Sequence, residues 1–190
     1  MTSIFKVGDK TIRPGRGWTD ADGVQHPGNW NLWSADEKSA KGITEVVMQP
    51  LPRSDLYNAS NNVDGSVNAT AKPLDDILVT DKDGDAVMDF RTGKQTVQPG
   101  VRSQLKGTVK EQQASHLAQT DWAIVREADV STAVPANIKT WRDAIRAKAT
   151  AMETAIDGAA DMAAIEALFV TFDADGNKSG ILYDWPSLEN

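Results

Sequence analysis

The sequence predicts an α+β protein, with its strands gathered before residue 97 and its helices after it. Three observations carry this. Short β-prone runs before residue 97 are punctuated by Gly, Pro, Asn and Asp. From residue 98 onward apolar residues recur at intervals of three and four. The chain then closes on a second β-prone pair around an Asp/Gly turn. The expected architecture is an N-terminal region of short-stranded β-hairpins (1–97), followed by a C-terminal helical hairpin unit closed by a terminal β-hairpin (98–190).

Residues 1–33 read as short strands around "TDADG", with Trp18 on one side and Trp30 and Trp33 on the other. In "SADEKSAKGI", Ser34 is followed three residues later by Glu37, the capping-box spacing, and Gly42 stands where such a helix should end. "TEVVMQPLP" is apolar and β-prone until its prolines stop it. Residues 53–72 are rich in Asn, Ser and Gly without periodicity and read as a polar surface loop or extended arm. "DDILVTDKDGDAVMDF" predicts a hairpin, with Ile77–Thr80 and Ala86–Phe90 flanking its turn.

From Gln98 to Ala128 the pattern is helical, with a break near Thr120. Val101, Leu105 and Val109 repeat every four residues. Pro135 suits the first turn of the next helix, where a missing N–H leaves no helical bond unmade. Ile138, Trp141, Ile145, Ala149, Met152 and Ile156 then form one apolar stripe, ended by Gly158. Asp161 is placed to cap a short helix to Leu168 that turns Met162, Ile165 and Phe169 inward. The last hairpin lies within "LFVTFDADGNKSGILYDWP".

The 190 residues are 40% hydrophobic, enough for a core in one domain or two small ones. Twenty basic against 27 acidic residues give a net charge of −7, which opposes a nucleic-acid partner. Arg142, Arg146 and Lys148 could make a local basic patch, but read better as a solvated helix face. There is no cysteine, so disulfides and thiolate metal sites are excluded. No apolar run suits a signal peptide or a membrane span, and the expectation is a soluble chain with no membrane partner.

Three D-x-D-G segments begin at Asp20, Asp81 and Asp173, and their alternating carboxylates resemble the opening of a calcium loop. Such a loop needs Gly at its sixth position and Glu at its twelfth. Here those positions hold Gln25, Ala86 and Lys178, then Asn31, Thr92 and Asp184. The segments fit hairpin turns, and no metal is expected. His26 and His116 are too few for a three-histidine zinc site, and no strained elbow marks a nucleophile. The reading is of a chain with no catalytic residues and no cofactor. Trp30 and Trp33, in "HPGNWNLW", suit a small core, a protein interface or a sugar-stacking platform.

The block "VRSQLKGTVKEQQASHLAQTDWAIVREADVSTAVPANIKTWRDAIR" carries a more specific pattern. An Arg opens the first helix, a Leu-x-x-Thr-Asp-Trp stretch ends it, and a spacer leads to a Pro and a Trp-Arg-x-x-Ile-Arg helix. The block resembles the helical unit of tail fibre assembly and tail assembly chaperone-like proteins of tailed bacteriophages. The matching residues are Arg102, Leu117, Thr120, Asp121, Trp122, Arg126, Pro135, Trp141, Arg142, Ile145 and Arg146. The ending "ILYDWPSLEN" is similar to the Trp-Pro close of such proteins through Trp185 and Pro186. The "GVQHPGNWNLWSADEKSAKGITEV" stretch looks like a short N-terminal tail-protein module, whereas residues 50–97 match nothing in that pattern.

The resemblance implies a docking protein. Trp122 is expected to pack between two helices, with the Trp141 stripe closing the same core. Arg126, Arg142 and Arg146 would bracket that core with ion pairs or face a partner. The implied partners are other phage tail proteins of the fibre, baseplate or adaptor region, with a homo-oligomer among the assemblies. The chain would be made in the host cytoplasm and reside in the virion tail. The alternatives are a fibre assembly chaperone absent from the finished particle, and a glycan-binding receptor module using Trp30 and Trp33.

Overall fold

The computed structural model describes residues 2–188. The chain divides into two compact units, Met1–Ala71 and Lys72–Asn190, so residues 72–97 group with the helices rather than with the strands before them. The α+β class is as expected, with strands first, helices after them and terminal strands at the close.

In the first unit β1 (Thr2–Val7) is the middle strand of an antiparallel sheet, between β2 (Lys10–Ile12) and β5 (Ile43–Met48). The register sets Phe5 opposite Ile12 and Val7 opposite Ile43. β3 (Trp18–Thr19) and β4 (Gln25–His26) form a small hairpin around the Asp20 turn. A 3-10 turn, Gly28–Leu32, then carries Trp30 into the core. The fully buried Trp30 joins Ile12, Trp18 and Ile43, with Phe5, Val7 and Trp33 packed around them. Its indole N–H donates to the Arg16 carbonyl at 3.0 Å, so the ring is satisfied at its polar end. Ser34 caps α1 (Ala35–Ala40) with the complete reciprocal box to Glu37, and Gly42 adopts a φ of +66° just beyond it.

The polar stretch 53–72 is not a loop. Tyr57–Asn61 (β6) and Val67–Ala71 (β7) pair antiparallel in five-residue register. Asp64 turns the chain by accepting from the Ser66 N–H at 3.0 Å, with Gly65 at a φ of +84°. Half-buried Tyr57, Ala59 and Asn61 alternate with exposed Asn58 and Ser60, and Val67, Ala69 and Ala71 alternate with Asn68 and Thr70, but with so many small and polar side chains the period of two is a weak signal.

In the second unit the expected Ile77–Thr80/Ala86–Phe90 hairpin keeps its turn and its first pairing, with the Val87 N–H donating to the Val79 carbonyl at 3.0 Å, but goes no further. Asp81 closes that turn and Thr80 bridges Ala86, but β8 (Ile77–Leu78) pairs with β9 (Val97–Gln98). The competing partner lies directly before α2 (Val101–Ala118) and is drawn in by it. The Pro73 and Leu74 carbonyls accept from the N–H groups of Val101 and Arg102 at 2.9 and 3.0 Å. The Asp76 carboxylate accepts from the Gly100 N–H at 2.8 Å. Thus the orphan donors of the helix start are met by the preceding segment rather than by a capping side chain.

α3 (Asp121–Val130) follows α2 after a break at Thr120, as the sequence predicts, and α4 (Ala136–Gly158) begins directly after Pro135. Every residue of the predicted α2 and α4 stripes is buried. Asp161 caps α5 (Met162–Ala167) by accepting from the Ala164 N–H at 2.8 Å, and Met162, Ile165 and Phe169 face inward. β10 (Thr171–Phe172) and β11 (Lys178–Ser179) make the closing hairpin. No helix among the described residues is long and apolar enough to cross a membrane.

Candidate docking site

The Thr-Asp-Trp to Trp-Arg block folds into a clamp centred on Arg142. Its place on α4 leaves Arg142 only 7% exposed. One guanidinium nitrogen, Nη1, donates toward three acceptors from the α2–α3 junction. These are the Leu117 carbonyl at 2.8 Å, Thr120 Oγ1 at 2.8 Å and Asp121 Oδ1 at 2.9 Å. Thr120 is itself buried and donates its hydroxyl to the Leu117 carbonyl at 3.2 Å. The α2 C-terminus thus presents carbonyl and hydroxyl oxygens to a cation, which suits the negative end of a helix. The bend at Thr120 is fixed by this contact.

A second set of contacts holds the C-terminal segment. Trp141 donates its indole N–H to the Pro186 carbonyl at 2.9 Å, and Trp185 donates to Gln112 Oε1 at 2.7 Å. His116 lies between the two rings, 6.3 Å from Trp141 and 5.1 Å from Trp185 by ring centroids. Lys148 pairs with Asp184 at 3.2 Å, and Lys178 pairs with the same carboxylate. Trp141 and Trp185 are therefore joined through His116 and the Pro186 carbonyl, as members of one strap across α2 and α4.

Trp122 does not pack between the helices. It is 54% exposed. Asp121 turns toward Arg142 and Ala123 is the single buried residue of α3, so at about 100° per residue the helix phase carries Trp122 away from the core. The interior place expected for it is taken by Trp141 and Arg142. Ile124, Val125 and Val130 are exposed beside it, which leaves a ten-residue helix with four large apolar side chains in solvent. Arg126 is also exposed and has no ion-pair or hydrogen-bond partner among the described residues. Arg146 is half exposed and bonds Asp143, one helical turn away on α4, at 3.0 Å. Between α3 and α4 a cleft of about 310 Å³ is lined by Ile124, Glu127, Val134, Lys139, Arg142 and Arg146, among others.

Of the named site residues, Thr120, Asp121 and Arg142 come together, and Trp141 and Trp185 share one strap. Trp122, Arg126 and Arg146 stay on the surface. Trp30 and Trp33 belong to the first unit, where the burial of Trp30 removes its face as a sugar platform, and the half-buried Trp33 turns its ring against His26. Arg142, read from the sequence as part of a solvated helix face, is instead buried, and its spacing gives the reason. Ile138, Arg142, Ile145, Ala149, Met152 and Ile156 alternate by four and three, so Arg142 holds a core position of the repeat.

The D-x-D-G segments are hairpin turns. Each leading Asp accepts two backbone N–H bonds on one oxygen: Asp20 from Asp22 and Val24, Asp81 from Asp83 and Asp85, Asp173 from Asp175 and Asn177. Asp20 uses its other oxygen on His26 Nε2 at 2.8 Å, and His26 stacks on Trp18 with centroids 4.3 Å apart. The His26 bond, followed by the Val24 N–H, holds the Asp20 carboxyl below its ordinary value. Asn177 does the same for Asp173, and Lys178 then Lys148 for Asp184. A carboxyl lowered by folding contributes stability that is complete above its unfolded value near pH 4 and is lost as pH falls through the folded value. Melting temperature should therefore hold from pH 7 to about pH 5 and fall below about pH 4. Asp20→Asn should flatten part of that fall; an unchanged acid limb would remove Asp20 from the account.

No family model, curated protein or solved structure matches the chain.

Proposed function

We propose that this chain is a structural or adaptor component of a phage tail, in the baseplate or fibre region, and that it acts by protein–protein docking. The observation that carries the reading is α3. Its apolar residues Trp122, Ile124, Val125 and Val130 are exposed on a helix whose start is held by the buried Arg142 clamp. Trp122 and Val125, three residues apart and so on one side of the helix, are the apolar pair a partner would bury, and an apolar helix face against a groove is a recurrent mode of recognition. The bacteriophage reading itself rests on the resemblance of the Leu117–Trp122 and Trp141–Arg146 stretches. Docking rather than bond chemistry also suits both histidines, since His26 is engaged by Asp20 and Trp18 and His116 lies between two tryptophans.

This reading separates stability from binding at one residue. Trp122→Ala should cost only about 1–2 kcal/mol of unfolding free energy, well below the loss for a buried aromatic, because Trp122 is 54% exposed. The same change, or Val125→Asp, should weaken association with the tail partner at least tenfold, corresponding to about 1.4 kcal/mol. Co-purified tail complexes analysed by size exclusion provide the test. Complexes that assemble equally well with Trp122→Ala and Val125→Asp would exclude α3 as the docking element.

A further inference from the structure

We propose that the first unit carries a compact oxyanion site, for a phosphate or sulfate group, in the cleft beside the Arg13–Arg16 turn. The cleft has a volume of about 280 Å³ and is lined by Lys10, Thr11, Arg13, Arg16, Trp18 and Thr19 among others, with no acidic residue in its lining. None of the three cations has a side-chain partner among the described residues, although acidic residues outnumber basic ones in this chain, 27 to 20.

The turn is held by its backbone, which leaves the arginine side chains free. The Arg16 N–H donates to the Arg13 carbonyl at 3.1 Å across Pro14–Gly15, with Gly15 at a φ of +80°. The Gly15 N–H donates to the Gly28 carbonyl at 3.0 Å, and the Arg16 carbonyl accepts the buried Trp30 indole at 3.0 Å. A Cβ on Gly28 would lie 2.8 Å from the Gly15 carbonyl oxygen, so only glycine permits this approach. Two exposed arginines are thus fixed at the ends of a turn anchored in the core, which reduces the ordering cost of binding.

A second observation comes from Trp18, in the same lining. Trp18 is 6% exposed, and its indole N–H is buried without an acceptor. Buried donors are ordinarily paired, so this one marks a place where an acceptor is missing. An oxyanion offers several acceptor oxygens to guanidinium, ammonium and threonine donors together. Its size is bounded by the flanking acids: Asp9 precedes Lys10, and Asp20 and Asp22 follow Thr19. An extended polyanion would run from the cations onto carboxylates, whereas a single tetrahedral group would not.

The test is titration of the full chain, labelled at its tryptophan indoles, with inorganic phosphate at constant ionic strength set by chloride. Glucose 6-phosphate and a short DNA duplex serve as parallel probes. The Trp18 resonance, assigned with Trp18→Phe, should shift saturably with phosphate and with glucose 6-phosphate. The Arg13→Gln/Arg16→Gln double variant should weaken binding about tenfold or more through loss of two charge-assisted donors. Its melting temperature should be unchanged, because backbone atoms rather than these side chains anchor the turn. Should that variant fail to fold, Lys10→Gln carries the same expectation of weaker binding. A shift that does not saturate, or one unaffected by these substitutions, overturns the site. Preferential DNA binding with steep salt dependence would also overturn it, in favour of a polyanion surface.

Discussion

Replacing Trp30 with alanine is expected to destabilise the first unit by about 3–5 kcal/mol, the range for truncating a buried aromatic. Trp30 is fully buried, meets Phe5 edge-on at 5.2 Å and binds the Arg16 carbonyl through its indole N–H. A unit of this size has a total stability of only a few kcal/mol, so the loss is comparable with the whole. Near-UV circular dichroism and limited proteolysis should show residues 1–71 unfolded while the helical unit stays protected. The separate response expected of the units follows from their separate cores. Retention of a cooperative transition within about 1 kcal/mol of the parent would remove Trp30 from the core.

Arg142→Ala should have the next largest effect, about 3 kcal/mol on the helical unit, through loss of charge-assisted hydrogen bonds and exposure of their buried acceptors. The Thr120 hydroxyl and Leu117 carbonyl would lose their cation within a largely dry junction. Arg142→Lys should recover little, because a compact ammonium cannot reproduce the planar reach of a guanidinium. Asp121→Asn should cost far less, within about 1 kcal/mol, since that carboxylate is 58% exposed and screened by solvent. Chemical denaturation of the four proteins provides the comparison. Equal losses for Arg142→Ala and Asp121→Asn would mean that the exposed ion pair, rather than the buried hydrogen bonds, holds the junction.

Helices and their ends were the most legible part of the sequence, because their signals are local. Ser34–Glu37, Pro135 and Asp161 mark starts, while the stripes of α2 and α4 repeat at helical spacing. The β6–β7 hairpin was obscured because its period of two is carried mostly by small side chains, Ala59, Ala69 and Ala71, among Asn, Ser and Thr, which gives little hydrophobic contrast. The partner of β8 was obscured for another reason. Residues 77–98 offer Ile77–Leu78 two neighbours, and contacts with the α2 start favour Val97–Gln98. Sequence distance alone does not decide such a competition.

Within the candidate docking site, Trp122 was misplaced because an aromatic in a helical block was expected to be core. Its neighbours decide otherwise: the buried Thr120–Arg142 bond fixes where α3 starts, and with Ala123 turned inward the helix phase leaves Trp122 outside. Arg142 carries the opposite lesson: its charge had it read as part of a solvated helix face, although it stands four residues after Ile138 and three before Ile145, at a core position of the stripe. Three acceptors from one helix junction reconcile the two.

The proposed tail role is tested most directly by quantitative mass spectrometry of phage particles purified from infected cells that express this chain, with the major tail tube protein as internal reference. The account predicts a fixed copy number set by tail symmetry. Absence from particles, together with abundance in the infected-cell lysate, would contradict a structural role and make the chain an assembly chaperone whose α3 contacts are transient.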